Sequence, residues 1–444
     1  MSELLEALDG ADDVDRETGD AALLRAMLDV EAALARALAR AGLAPAEAAE
    51  AIEATCTELV VDARQLGRRS RDAGNPVIPL VDDLGAAVPE SARGWVHRGA
   101  TSQDILDTAL MLVAHRALGP LLGSLAQAAD QAARLAEEHR GTPAIARTLG
   151  QPALPTTFGR RAAGWCAGLD SAQRRLDTVR DRELAVQFGG ATGTLAALDG
   201  AGLEVARLLA DQLGLVDPEV PWHTERSRVH ALAGGLATAT AATAKVATDV
   251  VLGSAAEVGE LAEGGKAGLG GSSAMPHKRN PMASVLVVAA ARRTPGLLAT
   301  VLTAGVHEHE RATGSWHAEW QPLRDLVRLT GGAAARTATL LTDLRVDPAR
   351  MRANLDAAGP AVMSERLAIA FASLGRAEAR ALVRGALAAS SDGTPLRDVL
   401  LADPRVSRLC TPADLDALLN PLTYLGSADE IVTRVLARRR GGDR

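Results

Sequence analysis

The strongest constraint on the fold is a set of helical patterns that are long and poor in charge. One runs from Asp104 to about Arg140, with Thr101 and Ser102 placed to cap its start and Gly119-Pro120 expected to bend it midway. Another spans 224–256, and within it Val229 to Ala244 contain no Lys, Arg, Asp or Glu. Further long helices are predicted at 156–183, 198–213, 281–306 and 315–342. Aromatic residues make up 2% of the 444 positions while hydrophobic residues reach 47%, so the core must be built from Ala, Leu and Val. Small apolar side chains of high helix propensity favour close-packed helices over a sheet, and the chain reads as all-α. Helices this long and this weakly charged need partners beyond their own chain, so the central region reads as a bundle extended by oligomerisation.

Shorter elements flank that bundle. In 21–41, Leu23, Met27, Val30, Leu34 and Leu38 recur at steps of three and four, and Gly42 supplies the stop. A second helix is predicted over 46–60, following Pro45. Residues 70–80 hold Gly74, Asn75, Pro76 and Pro79 and are not expected to form a regular helix. Beyond Asp347-Pro348 the pattern shortens, with breaks at Gly359-Pro360 and Asp392-Gly393-Thr394-Pro395. The tail Arg438-Arg439-Arg440-Gly441-Gly442 is expected to be disordered. Three domains follow: an N-terminal helical domain at 1–103, a central long-helix domain at 104–345 and a small helical domain at 346–444.

Charge and cysteine content exclude several classes. The formal charge of −7 arises from 55 acids and 48 bases that are well mixed, without a basic run or aromatic–basic interleaving, so no nucleic-acid partner is expected. Cys56, Cys166 and Cys410 lie far apart with no CxxC pair and read as free thiols of a cytoplasmic protein. The first residues, Met-Ser-Glu-Leu-Leu-Glu, lack a signal-peptide pattern. Val229 to Ala244 comes nearest to a membrane span, but Lys245 and Asp249 interrupt its continuation. A helix wrapped on most sides by other helices is expected instead, with no membrane partner.

Chemistry concentrates in three segments. Residues 271–281 read Gly-Ser-Ser-Ala-Met-Pro-His-Lys-Arg-Asn-Pro, approached through Gly264, Gly265, Gly268 and Gly270. Glycines let a loop close over a ligand, and Lys278 and Asn280 are donors suited to a carboxylate or an enolate-like charge. The run His97-Arg98-Gly99-Ala100-Thr101-Ser102-Gln103-Asp104 sets adjacent hydroxyls at a helix N-terminus, where unpaired N–H groups can seat a carboxylate. Arg147-Thr148-Leu149-Gly150-Gln151-Pro152 alone would be only a polar turn. Other candidates fail on physical grounds. Gly259 to Lys266 misplaces the lysine of a phosphate loop and has no strand before it. His307-Glu308-His309-Glu310 alternates in a way that puts its histidines on different helix faces, so no metal site is expected. No dinucleotide fingerprint precedes any helix, and no cofactor is expected.

In order and spacing the three segments resemble the signature regions of the fumarase/aspartase superfamily, whose loop pattern Gly-Ser-Ser-x-Met-Pro-x-Lys-x-Asn-Pro is met at every fixed position here. The resemblance covers essentially the whole chain. It implies a three-domain, all-helical fold and a homotetramer whose twenty-helix core builds each active site from three subunits. It also implies a small-molecule polycarboxylate substrate and β-elimination or its reverse, through a carbanion stabilised as an aci-carboxylate. By the same resemblance Ser272 is the general acid/base, its alkoxide supported by loop N–H groups and Lys278, and Asn280 completes the catalytic set. His97, Arg98, Thr101, Ser102, Gln103, Thr148, Gln151, Ser273 and Met275 are implied to bind substrate, and Arg311 is a candidate extra clamp.

Leu149 departs from the pattern. Fumarases and adenylosuccinate lyases carry a histidine here that serves the leaving oxygen or nitrogen, and leucine cannot. A leaving group that needs no proton fits, and a carboxylate, with a pKa of about 4, is one. Lactone opening expels a carboxylate, so the chain looks most like the superfamily's cycloisomerase branch. Those enzymes convert 3-carboxy-cis,cis-muconate to 4-carboxymuconolactone in protocatechuate degradation by the β-ketoadipate route. Gly74 to Leu80, Gln187 to Thr194, Pro221 to Thr224, and 309–320 look like the same branch. A lyase acting on a substituted succinate, of nitrosuccinate or adenylosuccinate type, is the alternative.

Overall fold

The structure, a computed structural model, describes residues 3–265, 270–271, 274–275, 277–390 and 393–441. Helices dominate, and the long ones run over Ser102–Glu138, Phe158–Arg182, Ser227–Gly253, Met282–Ala304 and Ser315–Asp343. Backbone proximity groups the residues into two compact units. One comprises Met1–Ala128, Leu169–Thr248 and Met282–Thr339; the other comprises Ala129–Gly168, Asp249–Pro281 and Leu340–Arg444.

In the first unit, helix Asp20–Arg40 buries Met27, Val30, Leu34 and Leu38 and packs against helices Ala46–Glu58 and Gly202–Leu213. Each such side chain, fully buried, contributes about 1.5–3 kcal/mol. Its end is a Schellman closure: Gly42 takes φ 74°, while Gly42 and Leu43 N–H donate to the Ala39 and Leu38 carbonyls. The long helices meet through small side chains. Ala247, Val287, Ala290, Leu329 and Ala333 form one buried cluster. The Thr240 and Thr330 hydroxyls meet at 2.8 Å, and both also reach helix carbonyls, which satisfies them in an apolar setting.

One side of Ser227–Gly253, next to Thr240, is not wrapped as expected. Ala237, Ala241 and Ala244, with Ala291, Pro295 and Leu298, line an open groove of about 400 Å³. Membrane-span length and hydropathy point elsewhere as well. Among the described residues the helices long and apolar enough to cross a membrane are Ser102–Glu138 and Met282–Ala304, since Ala, Gly and Thr dilute the hydropathy of 229–244. Only 22% of the apolar window of Met282–Ala304 is buried, against 61% for Ser102–Glu138. The latter stays helical through Pro120.

The break expected over 70–80 shrinks to three residues between helices Ala63–Ala73 and Val77–Ala87. Gly74 closes the first at φ 75°, and the Asn75 side chain accepts from Val77 and Ile78 N–H. Pro79 falls in a first turn, where its missing N–H costs nothing.

The second unit contains strands. Pro143–Thr148 pairs antiparallel with Gln151–Thr157, where only a turn was expected, and helix Pro348–Ala357 packs on the first strand. Leu261–Ala262 pairs with Arg345–Val346. Short helices close over Leu367, Phe371, Leu382, Leu400, Val406 and Leu415. The basic tail is ordered, contrary to expectation. Arg438–Arg440 lie in the last turn of Ala428–Gly441, where cations suit the helix dipole, and Arg439 bonds Asp130 at 2.7 Å. Gly442 and Asp392 lie outside the described residues.

Candidate active site

The first segment enters helix Ser102–Glu138 through strained backbone. His97 has φ 56°, held by a 2.6 Å contact from Nδ1 to Oε1 of buried Glu31. Burial alone would lower the imidazole pKa, but Glu31, aided by Asp104, raises it above the ordinary histidine value. Arg98 stacks on Trp95 with its guanidinium 4.7 Å from the ring centroid. Thr101 and Ser102 remain partly exposed at the helix mouth. The capping contact runs opposite to the expected one, because the Asp104 carboxylate accepts from Thr101 N–H at 3.0 Å.

Asp104 organises this end of the helix. At 1% exposure, its Oδ1 lies 2.7 Å from His223 Nε2 and accepts from Gly189 N–H, while Oδ2 accepts from Gly190 N–H. One turn on, buried Asp107 accepts from Gln103, Trp316 and both terminal nitrogens of Arg226. Arg226 also reaches Glu319, which lies 3.0 Å from His307 Nε2. Each buried charge thus has an ionic or hydrogen-bonded partner, the condition for retaining charge in a dry interior.

Gln103 is brought to Arg311, but both are committed. The Gln103 amide donates to Asp107 and to the His223 carbonyl, and its oxygen accepts from Arg311 at 2.8 Å. Arg311 also donates to the Gly190 and Ala191 carbonyls. It clasps the loop after Gln187 to the start of the long helix.

The second segment is the tip of the hairpin. Thr148 and Gln151 pair across it, and Leu149 (φ 51°) and Gly150 (φ 80°) form the connection. Both residues at positive φ mark a two-residue type I′ turn, whose twist suits a hairpin. Thr148, Leu149, Gly150 and Gln151 are all exposed, Leu149 completely. Behind the tip, Arg147 binds Glu260 through two nitrogens at 2.7 and 3.2 Å. Burial would raise the Glu260 carboxyl pKa, yet Arg147 and Asn354, with Arg161 nearby, hold it below the usual carboxylate range. The hairpin is thereby pinned to the strand that leads into the glycine-rich loop.

That loop is pinched at its base. Gly271 bridges to Arg279, and both the backbone N–H and the side-chain amide of Asn280 donate to the Gly270 carbonyl, at 2.8 and 3.1 Å. Gly270 has φ 69°, and a Cβ there would collide with the Asn280 carbonyl oxygen. Lys278 N–H turns back to the Met275 carbonyl, and the Met275 and Lys278 side chains are exposed. A cavity of about 500 Å³ lies beside the base, lined by Glu263, Gly264, Arg279, Asn280 and Arg345 among others. Ser272, Ser273 and Gly268 lie outside the described residues. Among the described residues no group of three or more His, Cys, Asp or Glu side chains could hold a metal ion.

Sequence reasoning missed the organising roles of Asp104, His223 and Glu260. Asp104 offered one signal, an acid at the third helical position behind a Thr-Ser start. Asp104 lies 119 residues from His223 and Arg147 lies 113 from Glu260, so no local spacing foretells either pairing.

The sequence matches the family described as Lyase over residues 8–296 and the adenylosuccinate lyase C-terminus over residues 360–435. A nitrosuccinate lyase from Streptomyces davaonensis is 43% identical, covering 98% of this chain and 94% of that one. A 3-carboxy-cis,cis-muconate cycloisomerase from Pseudomonas aeruginosa is 45% identical over 94% of this chain and 92% of its own. The crystal structure of 3-carboxy-cis,cis-muconate lactonizing enzyme from Pseudomonas putida superposes with a TM-score of 0.91 at 40% identity, covering 99% of both chains. With a helical fold of that kind and the signature segments in order, the chain belongs to the lyase family of the fumarase/aspartase superfamily.

Proposed function

We propose that this chain is a 3-carboxy-cis,cis-muconate cycloisomerase, forming 4-carboxymuconolactone in protocatechuate breakdown by the β-ketoadipate route. The observation that carries the reading is Leu149, a fully exposed apolar side chain at the tip of the hairpin. It can deliver no proton, so a group that leaves unprotonated in the elimination direction, as a carboxylate does, fits best. In the forward direction a carboxylate oxygen bonds to an alkene carbon. The alkene electrons move to the neighbouring carbon and into the carboxylate attached to it. Ser272 then gives its proton to that carbon, and its alkoxide, supported by Lys278, recovers a proton from water. Thr101, Ser102, Thr148, Gln151 and Met275 supply contacts to the carboxylates. Ser273 joins these contacts, His97 and Arg98 add positive charge, and Asn280 completes the catalytic set, while Gln103 and Arg311 hold the backbone that presents these groups. The scheme calls for no metal or cofactor.

The names of the Pseudomonas aeruginosa and Pseudomonas putida relatives support this reading. Nitrosuccinate lyase is the second reading, favoured by the Streptomyces davaonensis relative, because nitrite also leaves without a proton. One experiment separates the two. Purified protein given 3-carboxy-cis,cis-muconate should bleach the diene absorbance, and given nitrosuccinate should release no nitrite. Nitrite release without bleaching selects the second reading, and neither response sinks both.

The same proposal includes a cytoplasmic homotetramer with three-subunit sites and no nucleic-acid or membrane partner. It retains the division into domains at 103/104 and 345/346. The open small-residue groove and the exposed face of Met282–Ala304 support assembly, since such apolar surface is costly to leave in water.

A further inference from the structure

A pocket in the C-terminal region is lined by residues between Ser364 and Leu387, none of them in the three signature segments. It is open to solvent on one side and holds about 620 Å³. Its floor is apolar, formed by Ala368, Ile369, Val383 and Leu387. Along one wall stand Arg376, Arg380 and Arg384, spaced one helical turn apart on helix Arg376–Ser390. That spacing puts the first and last about 12 Å apart along the axis.

These three arginines differ from their neighbours. Arg366 donates to three carbonyls and the Thr423 hydroxyl, Arg397 pairs with Asp416, and Arg405 pairs with Asp403 and Glu378. Among the described residues the guanidinium groups of Arg376, Arg380 and Arg384 have no hydrogen-bond or ion-pair partner. Like charges at four-residue spacing repel along a helix, so the row is electrostatically unfavourable until an anion joins it. Glu365 also lines the cavity, and a single carboxylate leaves an excess of positive charge. Guanidinium groups grip carboxylates in a planar, two-point manner, and the apolar floor accepts a flat hydrocarbon body beneath them.

We propose that this cavity is a second, non-catalytic binding site for an organic polycarboxylate with a flat apolar body. Charge complementarity selects the anion, and the apolar floor discriminates against inorganic ions of equal charge. The site uses no residue of the three signature segments, so it stands or falls independently of the cycloisomerase reading.

Isothermal titration of the full-length protein with benzene-1,2,4-tricarboxylate at low ionic strength tests the proposal without reference to turnover. The wild type should show a class of sites, one per chain, that inorganic phosphate occupies at least about tenfold more weakly. Arg380→Gln/Arg384→Gln should weaken that class at least about tenfold while activity is retained. Ile369→Asp, which leaves every arginine in place, should weaken it too. The proposal is overturned if the wild type binds only at the active site, or if the variants keep binding within about twofold. Equal affinity for phosphate would also overturn it, reducing the site to a patch of charge. So would a change of assembly in light scattering on the arginine variants, which would make this face an interface between chains.

Discussion

Leu149 sits in a backbone conformation that suits it poorly. A left-handed residue with a side chain costs about 1–2 kcal/mol, which asparagine offsets in part by local hydrogen bonding. Leu149→Asn should therefore raise Tm while lowering kcat/KM, and a gain in both would show that the leucine has no functional role. Leu149→Ala removes no packing from the folded chain, because the side chain is fully exposed. Leu149→His should leave cycloisomerase turnover unchanged or reduced, and marked acceleration would mean that the leaving group needs a proton. His97 carries a second prediction at this scale. Its pKa is raised in the folded state by Glu31 and Asp104, against burial. The pair thus contributes stability that is fully present below the unfolded pKa of about 6.5 and is lost as pH rises through the folded value. Tm should fall across that window in the wild type, and the fall should be smaller in Glu31→Gln. Equal slopes in the two proteins would remove the Glu31 contribution.

At the scale of elements, the clasp of the glycine-rich loop depends on a residue without a side chain. Gly270→Ala meets both a positive φ and a collision with the Asn280 carbonyl oxygen, so the Asn280 hydrogen bonds to the Gly270 carbonyl should break. Turnover should collapse while Tm falls only modestly, because the loop base lies outside the buried core. Normal turnover would show that the pinched base is unnecessary for catalysis. The helices were legible because periodicity and caps agree. Met27, Val30, Leu34 and Leu38 of the predicted stripe are buried and Leu23 partly so, and Asp347-Pro348 opens a helix through its side-chain cap. The hairpin was not legible, for its strands hold Pro143, Pro152 and Pro155 and its turn is Leu-Gly rather than Asn-Gly. What specifies it is Glu260, which anchors Arg147 from a distant part of the chain. The basic tail misled for a similar reason: charge and glycine suggested disorder, but Asp130 and the helix dipole hold it.

For the whole molecule, the signature residues could be found in the sequence while their arrangement could not. Motifs name the groups proposed to meet substrate, but the Asp104–His223 and Asp107–Arg226 contacts beside them join positions that no local pattern relates. Assembly adds a further level. Small residues on Ser227–Gly253 and the exposed face of Met282–Ala304 leave apolar surface that a bundle of several chains would cover. If each site takes its parts from three chains, lesions in different parts must complement. Ser272→Ala removes the proposed proton donor and should cost about 10²–10⁴-fold in turnover, while Thr101→Val should weaken the proposed seat for a substrate carboxylate. Unfolded, mixed in equal amounts and reassembled, two such inactive proteins would form some sites that draw both segments from unmutated chains. Random closure of a symmetric tetramer makes about a quarter of the sites intact. Activity should therefore reappear near a quarter of the wild-type value, and only after subunits have exchanged. If the reassembled mixture stays as inactive as its parents, each site is built within one chain and the shared-site arrangement fails.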